Sequence, residues 1–114
     1  MKRMLFIIAA AAALAPLSAN AQERMSDARY LAANRCLAYA DLDQLQSDGV
    51  SFVALREAAS VGSRERSIAT QVRENARSVR ARATSASVEE LRRRRDEACA
   101  SFAERGLVRL GGSS

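Results

Sequence analysis

The sequence predicts an all-α fold: a small three- or four-helix bundle, closed by one disulfide and preceded by a cleaved signal peptide. Three observations carry that expectation. An uncharged apolar segment follows two basic residues at the start of the chain. The rest is Ala-rich, free of Pro and poor in β-branched runs, which favours helix. The chain holds two Cys, and export would place them where thiols pair.

The leader comes first. Lys2 and Arg3 precede Met4 to Leu17, a stretch without charge. Pro16 and Ser18 break it, and Ala19-Asn20-Ala21 offers the small-x-small pattern of a signal peptidase site. Its 14 residues fall short of the roughly 20 that span a bilayer. Residues 1–21 are therefore expected to be a Sec-type bacterial signal peptide cleaved after Ala21. Residues 22–107 form the helical domain and 108–114 a flexible C-terminal tail. The mature chain of 93 residues is expected in the periplasm or secreted. Its 16 Arg against 13 Asp plus Glu leave a net charge of +3, and no Lys remains.

The first helix is expected to start at the N-cap Ser26, with Asp27 in its first turn. It should run to the turn Ser47-Asp48-Gly49. Tyr30, Leu31, Leu37, Leu42 and Leu45 give it a broad apolar side. Cys36 falls nearly opposite, so the helix should bury two faces, as a central helix would. A short second helix is expected over 52–60, capped by Ser51 and stopped by Gly62. Ser63 should cap a third helix reaching Ala83. On it Ile68, Val72, Ala76, Val79 and Ala83 make a narrow apolar stripe.

Thr84-Ser85-Ala86-Ser87 is a small, polar break. Ser87 with Glu90 reads as a capping box. The fourth helix then carries Val88, Leu91, Ala98 and Phe102 on one stripe, with Cys99 beside it. Gly106 suits a left-handed cap, and Leu107 is placed to fold back on the last turn. A Cys36–Cys99 bridge would tie the first helix to the fourth and close a loop of 64 residues. The light third stripe leaves one alternative, a long-helix hairpin that dimerises.

Composition excludes several chemistries. With no His there is no Ser-His-Asp triad, no Cys-His pair and no imidazole metal ligand. Two Cys cannot make a four-cysteine metal site, and they do not stand as Cys-x-x-Cys. Asp41 and Asp43 are two apart and point different ways on a helix. No carboxylate pair stands at helical spacing on an apolar face, and no Gly-rich phosphate loop occurs. Neither an enzyme nor a cofactor or metal is expected.

Charge is uneven. Residues 22–62 carry −2 and residues 63–114 carry +5. The visible run Arg92-Arg93-Arg94-Arg95 is bracketed by Glu89-Glu90 and Asp96-Glu97. The pairs Glu89–Arg93, Glu90–Arg94, Arg92–Asp96 and Arg93–Glu97 should neutralise it along the helix. Arg95 falls near the apolar stripe, where its stem can cover the core edge. A better anion-binding candidate is Arg66, Arg73, Arg77 and Arg80. At 100° per residue these four lie within about 60° of one another, about 110° from the apolar stripe. Their row spans about 21 Å at ~1.5 Å per residue. Glu74 alone stands where it could pair within the row, with Arg77, while Asp41 and Asp43 could neutralise it from the first helix. The expected role is a non-catalytic exported binding protein with an envelope protein partner. The alternative is anionic lipid or lipopolysaccharide bound through the arginine row. Export argues against nucleic acid.

Overall fold

The computed structural model describes residues 24–109. The expected signal peptide, and residues 110–114 of the expected tail, lie outside the described residues. Within them the chain is all-helical: α1 (Asp27–Ala40), a 3-10 helix (Asp43–Asp48), α2 (Val53–Ala59), α3 (Arg66–Ala83) and α4 (Val88–Glu104). The extended contact is one isolated antiparallel bridge between Ser51 and Arg109.

Helix α1 starts where expected. Ser26 is its N-cap, and its hydroxyl accepts from the Arg29 N–H at 3.2 Å. It ends seven residues before Ser47, because Leu42 turns extended and the chain continues as the 3-10 helix. Asp41 and Asp43 bracket that break, and a carboxylate opposes the negative end of a helix. The change reorders the apolar side. Leu42 and Leu45 are buried, but from the 3-10 segment. On α1 itself the buried residues are Ala33, Cys36, Leu37, Tyr39 and Ala40. Small Ala33 and Ala40 allow neighbours to approach closely, so the broad inward face follows Cys36 and not Leu31.

Helix α1 is central. It packs against α3 and against α4, and those two touch each other far less. One core cluster joins Ala33, Cys36 and Leu37 to Leu55, Cys99, Phe102 and Val108. A second joins Tyr39, Leu42 and Leu45 to Val79, Ala83 and Leu91. The expected Cys36–Cys99 disulfide is present, with the two Cα atoms 4.9 Å apart. Both cysteines are fully buried in the first cluster.

Several expected boundaries shift. Ser51 does not cap α2: its backbone is used in the bridge to Arg109, and Phe52 stands at the cap without a side-chain bond. Ser63 does not cap α3 either. Its carbonyl accepts from Arg24 Nη1 at 2.9 Å, and α3 begins at Arg66 after Glu65. Ser87 Oγ accepts from the Glu90 N–H at 3.1 Å, which is half of a capping box. The Glu90 carboxylate turns instead to Arg94. Val88 is exposed and leaves the α4 stripe, while Leu91 and Phe102 are buried.

At the end of α4, Gly106 takes φ 81°. The Leu107 N–H reaches the Phe102 carbonyl at 2.9 Å and the Gly106 N–H reaches Ala103 at 3.0 Å, a Schellman ending. The packed chain continues past it. Val108 is buried and Arg109 pairs with Ser51. Among the described residues no helix is long and apolar enough to cross a membrane.

Candidate functional site

Helix α3 is one continuous helix of 18 residues, so the arginine row stands on a single element. Ile68, Val72 and Ala76 are half-buried and Val79 and Ala83 buried, which turns that stripe inward. Arg66, Arg73, Arg77 and Arg80 are all exposed. None of them makes an ion pair among the described residues. The one side-chain bond in the row is Arg73 Nη2 donating to Thr70 Oγ1 at 3.3 Å. Glu74, which by spacing could pair with Arg77, does not do so.

The row is not neutralised by Asp41, which pairs with Arg56 of α2. Near its C-terminal end Arg80 shares a groove of about 350 Å³ with Asp41, Asp43, Gln44 and Thr84, floored by Ala38, Ala76 and Ala83. Gln44 Nε2 donates to the Ala83 carbonyl at 3.3 Å across that groove. The acidic edge of the groove thus bounds the basic face. The face proper runs from Arg66 to Arg80.

Helix α4 contrasts with α3, because all four residues of its arginine run are ion-paired. Arg94–Glu90 and Arg93–Glu97 form as expected, at 2.9 and 3.1 Å. The expected Glu89–Arg93 and Arg92–Asp96 pairs do not. Arg92 instead forks across to Asp48 at the end of the 3-10 helix, with Nε at 2.8 Å and Nη2 at 3.1 Å. Arg95 Nη1 reaches the same carboxylate at 2.7 Å, and its Nη2 reaches Asp96 at 3.0 Å. The Arg95 side chain is 3 % exposed, so water offers its charge little help. A buried guanidinium without a counter-charge is strongly unfavourable, which is why both ends of the fork are held.

Asp48 is therefore the hub of the cluster. The Arg92 hydrogen bond, reinforced by Arg95 against the opposing effect of burial, holds its carboxyl down at about 2. Arg92 and Arg94 are in turn held more firmly protonated by their carboxylate partners, Asp48 and Glu90. By sequence alone Asp48 reads as a turn residue. Its role comes from a 3-10 segment folding onto α4, which no local spacing encodes.

A second unforeseen contact lies at the start of the fold. Arg64 lies over the Tyr30 ring, with Cζ 4.2 Å from the centroid, and Nη1 donates to Asp27 at 2.8 Å. Its side chain is 4 % exposed. This stacked guanidinium fastens the loop before α3 to the first turn of α1.

Among the described residues no three His, Cys, Asp or Glu side chains gather as a metal site would need. No protein-family model, curated protein or solved structure matches the chain.

Proposed function

We propose that this chain is an exported, non-catalytic binding protein that meets an acidic envelope partner through the outer face of α3. The observation that carries the reading is the contrast between two arginine sets. The run on α4 is consumed by Glu90, Glu97, Asp48 and Asp96, whereas the α3 row is exposed and makes no ion pair among the described residues. Fork-shaped guanidinium groups bind carboxylate and phosphate bidentately. The non-catalytic part rests on a sequence without His and on a carboxylate, Asp48, that two arginines keep ionised.

A second reading has its own support. The α3 face holds no aromatic or large apolar anchor among its arginines, and protein interfaces draw most of their binding energy from such anchors. A layer of lipid or lipopolysaccharide phosphates asks only for charge.

Replacing Arg66, Arg73, Arg77 and Arg80 by Gln tests both. Crosslinking in the native periplasm should capture a defined acidic protein with the wild type and lose it with the variant. Co-sedimentation with phosphatidylglycerol vesicles should instead fall with the variant, and steeply with salt, if lipid is the target. Equal behaviour of wild type and variant in both assays refutes the α3 face as a binding surface.

A further inference from the structure

Arg35 and Arg82 belong to neither arginine set described above. Arg35 lies on α1 and Arg82 in the last turn of α3. Both are exposed, and neither makes an ion pair among the described residues. They line one small cavity of about 80 Å³ between the two helices, together with Tyr39, Asn75, Ser78 and Val79. Helical spacing assembles it. Arg35 and Tyr39 are four apart on α1, while Asn75, Ser78, Val79 and Arg82 recur along one side of α3.

The lining has a consistent chemistry. Two guanidinium groups supply fixed positive charge, and Asn75 and Ser78 supply neutral donors. Among the described residues no carboxylate lines the cavity. Tyr39 and Val79, at 1 % and 5 % exposure, give it a dry floor. About 80 Å³ leaves room for a group of a few heavy atoms, such as a tetrahedral oxyanion.

We propose that this cavity binds a single phosphate-like oxyanion, held by Arg35 and Arg82 and seated by Asn75 and Ser78. The anion is either free phosphate or the phosphomonoester end of a larger molecule; both present the same oxygens. The site stands apart from the α3 row. At 100° per residue, Asn75, Ser78 and Arg82 centre about 160° from Arg66, Arg73, Arg77 and Arg80, beyond the apolar stripe. The two proposals therefore stand or fall separately.

Calorimetric titration of the purified protein with inorganic phosphate at low ionic strength is the direct test. The expected result is saturable binding at one site. Arg35→Gln/Arg82→Gln should weaken it at least about tenfold, since charge-assisted bonds carry the contact. Arg66→Gln/Arg77→Gln should leave it within about twofold, as distant exposed charges are screened. Amide shifts in the wild type should move at Asn75, Ser78 and Arg82. This readout needs no variant and stands if the double variant folds poorly. Arms with glycerol phosphate and with phosphatidic acid vesicles separate the sources. Glycerol phosphate binding without vesicle binding marks a soluble ligand, and vesicle binding lost in the double variant marks a headgroup. Three results would each overturn the proposal: no saturable binding of phosphate or glycerol phosphate, undiminished binding in the double variant, or shifts confined to the Arg66–Arg80 face.

Discussion

Opening the Cys36–Cys99 bridge by reduction should lower the unfolding free energy by about 4 kcal/mol. The magnitude follows from the ring that the bridge closes. Its cysteines are 63 positions apart, so the ring holds 64 residues. In the chain-entropy model a ring of that length removes about 14 cal/mol/K from the unfolded ensemble, or about 4 kcal/mol at room temperature. A domain of this size has about 5–14 kcal/mol in total. Reduction should therefore remove about 30 % of it or more. The assay is urea unfolding, followed by circular dichroism, with and without reductant. The reduced protein should show a lower midpoint and a steeper slope, because its unfolded chain exposes more surface. Both cysteines are fully buried, so reduction of the native protein must wait for the core to open. Its rate should level off as thiol concentration rises. A reduced protein within about 1 kcal/mol of the oxidised one, at equal slope, would refute the reasoning.

Two further predictions concern the core and the Asp48 clamp. Asp48→Asn should flatten the acid side of the stability profile. The folded carboxyl is held at about 2, below its ordinary 3.8, so its contribution is full above pH 3.8 and is lost as pH falls through 2. After allowance for solvent screening that contribution is about 1–2 kcal/mol, readable from urea midpoints between neutral and acid pH. An unchanged acid profile in the variant would contradict the clamp. Leu91→Ala should cost about 2–5 kcal/mol, because Leu91 is fully buried where α3, α4 and the 3-10 helix meet. Val88→Ala, one turn earlier and exposed, should cost less than about 0.5 kcal/mol in the same melts, and equal losses would show the α4 stripe to be misassigned.

The parts of this fold legible in the sequence are those with short-range physical causes. The Ser26 and Ser87 caps, the left-handed Gly106 and the α3 stripe each depend on residues within one or two turns. The disulfide was readable because two cysteines allow one intramolecular pairing. The misplaced features depend on contacts distant in sequence. Ser51 has good capping chemistry, but a bridge to Arg109 claims its backbone. Arg92 has an acid four residues on, yet Asp48 takes it with two bonds, while Asp96 is engaged by Arg95. Leu42 and Leu45 lie on the apolar side only if the helix continues, and it stops at Ala40. Of the surface, the α3 row could be drawn on a helical wheel. The Arg35–Arg82 cavity could not, because its two halves come from helices whose relative rotation only packing decides.

The bridge also makes the middle of the protein a closed circuit. The 3-10 helix, α2 and α3 lie wholly between Cys36 and Cys99. A protease that cuts once in the loop before α3, or in the break at 84–87, converts the circuit to an open chain but releases nothing. The two pieces remain covalently joined, with α1 and α4 still clasped at the core. On a gel without reductant such a nicked molecule migrates as one species, and with reductant as two.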